Sequence, residues 1–187
     1  LLDLVEMVTE CRSGADRIRR IVRGLRSLVR EDVALHAVNL AQIAETSCNM
    51  SMHELRHRAT VEVNVADAPP VLGDESRLTQ VLMNLLVNAA HAIDTKGQVR
   101  VSIRQENESV LVEISDTGCG IPPEVIGRIF EPFFTTKPVG KGTGLGLSIS
   151  YGIVKKHGGR IELDSEVGRG TTFRILLPVN GPKEAAA

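Results

Sequence analysis

The first thirty residues place apolar or small side chains at Leu1, Leu4, Val8, Cys11, Ala15, Ile18, Val22, Leu25 and Val29, a 3-4 spacing held for four heptads. That is a coiled-coil seam, and Ile21 and Leu28 widen it into a stripe that suits a helix in a bundle. One helix cannot bury such a stripe. Either the following domain covers it or a second chain does, and the sustained heptad favours a second chain. Glu31-Asp32 breaks the seam, and the period changes. Residues 38–40 read as a short strand, 41–57 as a helix, and 59–65 (ATVEVNV) alternate as a half-buried strand ended by Pro69-Pro70. From 74 to 93, apolar residues recur at helical period behind an acidic first turn. Residues 98–104 and 110–115 read as a hairpin, 145–157 as a helix ended by Gly158-Gly159, and 160–164 with 171–177 as a second hairpin. This order predicts an α+β fold: a two-layer sandwich of a mixed, mainly antiparallel sheet with helices on one face, preceded by one long helix.

The length of 187 residues allows one ordinary domain plus an extra element. The expected division is residues 1–32 for the helix, 33–180 for the domain and 181–187 for a disordered tail. Lys and Arg number 22 against 23 Asp and Glu, so a whole-chain drive toward nucleic acid or an anionic membrane is excluded. That balance hides a basic helix, in which seven arginines from Arg12 to Arg30 face only Asp16. They read as a solvated face, or as a dock for an acidic partner. Aromatic residues at 3%, with no Trp, argue against stacking platforms for single-stranded nucleic acid. Cys11, Cys48 and Cys119 fit neither a disulfide framework nor a metal site, so a reducing cytoplasm is expected. No apolar run approaches a membrane span, and no membrane contact is expected within the chain. The start at Leu1 and the alanine tail read as a piece cut from something longer.

Candidate chemistry concentrates where the glycines do: twelve of 17 lie between Gly118 and Gly170. Asn84 and Asn88 sit four apart on one helix face among Leu85, Leu86, Ala89 and Ala90, and Asn is a poor helix-interior residue. The pair is either a polar stripe satisfied by backbone groups or a set of neutral oxygens offered to a hard cation such as Mg2+. His91 points the same way. Asp116-Thr-Gly118-Cys-Gly120-Ile121 follows a strand; an Asp there accepts hydrogen bonds only and suits an exocyclic amine, although such turns also serve as plain connections. Gly140-Lys-Gly142-Thr143-Gly144-Leu145-Gly146-Leu147 opens a helix, where glycines let backbone N–H groups gather around phosphate. It matches neither a dinucleotide fingerprint nor a P-loop, so it is a different phosphate cradle or a flexible linker. Between these loops, Phe130-Glu-Pro-Phe133-Phe134 leads to Lys137, which reads as a lid with packed aromatics at one end and a cation at the other.

In this order the segments resemble the catalytic ATP-binding domain of sensor histidine kinases, in the ATPase superfamily that includes gyrase B, MutL and the large heat-shock chaperone. Asn84-Leu-Leu-Val-Asn88 resembles the N box, Asp116 to Gly120 the first glycine box, Phe130 to Phe134 the F box and Gly142 to Leu147 the second glycine box; Gly168-Arg-Gly-Thr171 is similar to the closing strand motif. The longer wording from Glu131 to Ser148 is similar to kinases of the nitrogen-sensor type.

The resemblance implies a Bergerat-type ATP-binding fold and a set of roles. Asn88 would hold Mg2+ against the phosphates with Asn84 nearby, and His91 stands where a basic phosphate contact is common. Asp116 would bind the adenine amine; Gly118, Gly120 and Ile121 would line the ring; Thr171 would support that end. Phe133, Lys137, Gly140, Gly142, Thr143, Gly144, Leu145, Gly146 and Leu147 would enclose the phosphates. Hydrolytic branches carry a water-activating Glu where Asn84 stands, so hydrolysis as the main purpose is disfavoured. The seam helix is similar to the second helix of a dimerisation hairpin, which implies a homodimer through residues 1–30 of a full-length parent. Its phosphoacceptor His is missing, and His36, His53, His57 and His157 are expected to be surface or boundary residues. The implied activity is transfer of the ATP γ-phosphoryl to that His and thence to an Asp of a response regulator. Alternatives are an anti-sigma-type serine kinase, or a nucleotide-binding dimerisation module without kinase activity.

Overall fold

Side-chain caps start the first two helices. Asn39 caps α1 (Leu40–Leu55), its Oδ1 accepting from the Ala41 and Gln42 amides at 2.9 and 3.4 Å. Asp74 caps α2 (Glu75–Ala92) by accepting from the Arg77 amide at 3.1 Å. Along α2, Leu78, Val81, Leu82, Leu85, Leu86, Ala89 and Ala90 are buried, the stripe that the 3.6-residue period dictates. These are features of a computed structural model that describes residues 7–8, 14–15, 34–138 and 142–182. Of the expected seam helix, residues 7–8 and 14–15 are helical and exposed; the rest of it, Gly140, and residues 183–187 of the expected tail lie outside the described residues.

Among the described residues, seven strands and four helices follow one another from residue 36. β1 (His36–Val38) pairs antiparallel with β3 (Val71–Gly73) as a separate two-stranded ribbon. The main sheet has the order β2-β4-β5-β7-β6, from β2 (Ala59–Val65), β4 (Gly97–Glu106), β5 (Ser109–Asp116), β7 (Gly170–Pro178) and β6 (Arg160–Glu166). Only β2 and β4 run parallel, because the chain between them detours through β3 and α2. Both expected hairpins form, β4 with β5 and β6 with β7. The expected two-layer α+β sandwich is therefore correct. Its core joins the inner faces of α1, α2 and α4 (Gly146–Lys156) to alternate sheet positions Val99, Val101, Ile103, Val112, Ile114, Phe173 and Ile175. On the sheet's other face, Arg174 pairs with Glu113 at 2.9 Å.

Three details depart from the sequence pattern. β3 and the four-residue α3 (Pro123–Ile126) were not foreseen, since such short elements carry too little periodicity. The first strand runs 36–38 rather than 38–40, because Asn39 and Leu40 are taken by the start of α1. His157, expected at the surface or a boundary, is 4% exposed. Its Nε2 accepts from the Asp74 amide at 3.0 Å and its Nδ1 lies 2.8 Å from the Ile153 carbonyl, so both ring nitrogens are used in tying the end of α4 to the start of α2. His36, His53 and His57 are exposed as expected.

Candidate active site

Asn84, Asn88 and His91 fall at i, i+4 and i+7 of α2, a half-buried polar stripe beside the core face. The two asparagines have different partners. Asn84 Nδ2 donates to the Gly146 carbonyl at 3.1 Å and lies 3.2 Å from Ser150 Oγ. Ser150, fully buried, donates to the same carbonyl at 2.9 Å. Asn84 thus pins the first turn of α4 to α2, which is the backbone-satisfying reading of that residue. Asn88 faces the other way, toward the segment that carries Lys137. The Lys137 ammonium is 3.4 Å from Asn88 Oδ1 and 2.9 Å from His91 Nδ1. His91 Nε2 in turn lies 3.5 Å from Glu54 Oε2, at the end of α1. Burial pushes the Lys137 pKa down, with Arg58 adding to the effect. Burial, then the Lys137 charge, lowers that of His91.

The glycine loop ahead of α4 is shaped rather than slack. Gly144 has φ +67° and its carbonyl accepts from the Phe133 amide at 2.9 Å; a Cβ there would run into the Phe133 backbone. A Cβ on Gly142 would meet Thr135 Oγ1 at 2.6 Å. Thr143 Oγ1 accepts from the Leu145 amide at 3.4 Å, and Leu145 is buried as the residue before the helix. No side chain among the described residues caps α4, so its first-turn amides, from Gly146 and Leu147 onward, are left for another acceptor. In the segment from Phe130 to Phe134, Phe130 and Phe134 pack against the core as expected. The Phe130 and Tyr151 ring centroids are 5.3 Å apart, and the Arg128 guanidinium sits 4.6 Å over the Phe134 ring. Phe133 is 57% exposed at φ +68°, and its backbone rather than its ring meets the glycine loop.

At the end of β5, Asp116 is 7% exposed and accepts from the Gly118 amide at 2.8 Å. A second backbone bond comes from Thr171, its register partner on β7. Burial raises the Asp116 pKa, and those two hydrogen bonds oppose the rise. The turn is locked to its surroundings: Cys119 N–H donates to the Ala92 carbonyl at 2.8 Å, and Gly168 N–H to the Cys119 carbonyl at 2.9 Å. Gly120, at φ +72°, passes so close to the Glu166 carbonyl that a side chain would not fit. The Ile121 amide donates to Ser165 Oγ at 2.8 Å, and that hydroxyl is 2.9 Å from Thr171 Oγ1.

Of the residues expected to form one site, all but Gly140 lie among the described residues. Sequence reasoning missed Ser165, Ser150, Glu54 and Arg58. Ser165 stands opposite Thr171 in the closing hairpin, a register that pairing could have suggested. Glu54 and Arg58 reach the site only because the end of α1 packs beside α2, which no local signal announces. Among the described residues, no group of three His, Cys, Asp or Glu side chains is placed to hold a metal. A cavity of about 290 Å³ lies elsewhere, lined by Asn39, Asp67, Pro69 and Ile103 among others, and gathers none of these groups.

Known proteins share this fold. The family described as histidine kinase-, DNA gyrase B- and HSP90-like ATPase matches residues 73–181. The chain is 50% identical over 127 residues to the sensor kinase CckA of Brucella abortus, covering 60% of this chain and 13% of that protein. It is 38% identical over 172 residues to the sensor histidine kinase ZraS of Escherichia coli, covering 89% of this chain and 36% of ZraS. The chain therefore spans about a third or less of these curated relatives. Among solved structures, the mycobacterial sensor histidine kinase MprB superposes with a TM-score of 0.70 at 32% identity, over 80% of this chain and 99% of that one. These relatives are sensor kinases, and none is an anti-sigma serine kinase.

Proposed function

The chain belongs to the histidine kinase-, DNA gyrase B- and HSP90-like ATPase family, and from that premise we propose that it is the ATP-binding catalytic region of a two-component sensor histidine kinase. In this reading residues 33–180 form the catalytic domain and residues 1–32 belong to a dimerisation hairpin. The parent protein works in the cytoplasm as a homodimer and passes phosphoryl groups to a response regulator.

One observation carries the nucleotide site: the last turn of α2 serves both of its ends. Asn88 and His91 face Lys137, and four residues after Asn88 the Ala92 carbonyl receives the turn that holds Asp116. Four helical residues rise about 6 Å, so about one turn of helix carries both sets of contacts. At one end the Asp116 carboxylate accepts from the adenine amine, Gly118, Gly120 and Ile121 flank the ring, and Thr171 supports it. At the other, Lys137, His91, Gly140 and the amides of Gly142, Thr143, Gly144, Leu145, Gly146 and Leu147 take the phosphates, with Phe133 bracing Gly144. Asn84 contributes through Gly146, which it holds in place.

Asn88 Oδ1 already faces a cation, the Lys137 ammonium, so its neutral oxygen fits a hard metal ion. With so few protein ligands near, Mg2+ would rely on substrate oxygens and water for the rest, and would neutralise phosphate charge. Phosphoryl transfer asks mainly for positioning and electrostatic support, which loop amides and Lys137 provide without covalent chemistry. The accepting His belongs to the other helix of the hairpin in the longer protein.

Calorimetry of Mg-ATP binding tests the site; no binding to the folded chain would sink it. Radiolabelled ATP, with a separate fragment carrying the missing helix, tests the reaction. Label on the fragment's His is expected, and label on Ser, or none with a folded fragment, would overturn the kinase assignment.

A further inference from the structure

Lys137, His91 and Glu54 form a line that ends on the oxygen assigned to the metal. An ammonium only donates hydrogen bonds, so at 2.9 Å His91 Nδ1 must accept from Lys137. A neutral imidazole then carries its proton on Nε2, which faces Glu54 Oε2 at 3.5 Å. The same ammonium reaches Asn88 Oδ1 at 3.4 Å. Three elements meet here: α1 supplies the carboxylate, α2 the imidazole and the amide oxygen, and the segment before the glycine loop the cation.

We propose that Glu54 is a positioning residue which, through His91, holds the Lys137 ammonium on Asn88 Oδ1 in the nucleotide-free chain, where it stands in for the divalent cation and must leave when metal-nucleotide enters. Glu54 orients the ring by accepting from Nε2–H, and the Nδ1 lone pair then has one direction, toward the lysine. Lowered basicity of His91 by burial keeps that lone pair free. Arg58 repels the Lys137 ammonium, which Glu54 offsets, and by disfavouring a charged His91 it helps keep the imidazole neutral. The consequence is competition: the fraction of chains with Lys137 seated on Asn88 is unavailable to the metal, and apparent nucleotide affinity falls by that fraction. The part of this inference that concerns metal-nucleotide rests on the function proposed above; the clamp itself does not.

The test compares Glu54→Ala with Glu54→Gln, whose amide oxygen still accepts from Nε2–H although the charge is gone. In nucleotide-free protein, amide exchange over residues 134–137 should quicken about threefold in Glu54→Ala and stay near wild type in Glu54→Gln, the size expected of one partly exposed contact. Nitrogen-15 shifts of His91 should report the Nε2–H tautomer in wild type and Glu54→Gln and a mixture in Glu54→Ala. Mg-ATP should bind about threefold more tightly to Glu54→Ala alone. Equal exchange and one tautomer in all three proteins would overturn the clamp, as would equal tightening by both variants, which is the signature of simple charge removal. His91→Ala gives the same exchange readout if the Glu54 variants unfold. Should wild type bind no Mg-ATP, the proposed function fails while the exchange and tautomer results still decide the clamp.

Discussion

Replacing Asp116 by Asn and by Ala separates its part in the fold from its part in binding. The carboxylate is 7% exposed and accepts from the Gly118 and Thr171 amides. Asn keeps an oxygen for those donors, so Asp116→Asn should stay within about 1 kcal/mol of wild-type stability. It also turns an NH2 group into the pocket, where a donor meets the adenine amine, itself a donor. A charge-assisted hydrogen bond contributes about 1.5–3 kcal/mol net, so ATP affinity should fall roughly ten- to a hundredfold. Asp116→Ala also strands the two amides, and its stability should drop by about 2–4 kcal/mol. Denaturant melts and calorimetry with Mg-ATP give the two numbers. Wild-type affinity in the folded Asn variant would refute the adenine assignment. The pH dependence has a direction too. Burial raises the Asp116 pKa above its unfolded value, so the folded chain holds this proton more tightly. The group then favours folding at low pH, and that contribution is lost as pH rises through the raised value. Nucleotide binding slopes the other way: it needs the ionised acceptor and should weaken as pH falls through that same value, at higher pH than an ordinary Asp would show.

Four further outcomes follow from the packing. Gly144→Ala puts a side chain at φ +67° against the Phe133 backbone, and should cost about 1–3 kcal/mol and speed proteolysis near Phe133; an unchanged melt and cleavage pattern would show that the loop is slack. His157→Leu leaves the Asp74 amide without its acceptor at 3.0 Å and should lose about 1–3 kcal/mol in a denaturant titration; a neutral result would remove the tie between α4 and α2. Leu85→Ala empties a position 1% exposed in the core and should lose about 2–5 kcal/mol, whereas Glu113→Gln, on the open face of the sheet, should lose less than about 1 kcal/mol.

Much of the frame is legible because it is local. Asp74 announces a helix start through its own acidic side chain, and alternation in 98–104 and 110–115 assigns each residue to a face before any partner is known. The glycine and asparagine motifs are likewise read in place, since the conformations and acceptors they supply belong to single residues.

What the pattern leaves open is where separate segments meet. The Asn pair looks alike in the chain, yet Asn84 is bound to Gly146 across two helices and Asn88 faces Lys137. His157 looks like any helix-ending histidine until the start of α2 brings the Asp74 amide to it. Residue chemistry and period are properties of short stretches of chain, so the amino-acid order by itself determined the longer elements, their buried faces and which donor and acceptor types stand in each segment. Which donor meets which acceptor depends on contacts between residues 37 to 83 positions apart, such as His91 with Glu54 and His157 with Asp74, and only close packing of the folded layers decides those.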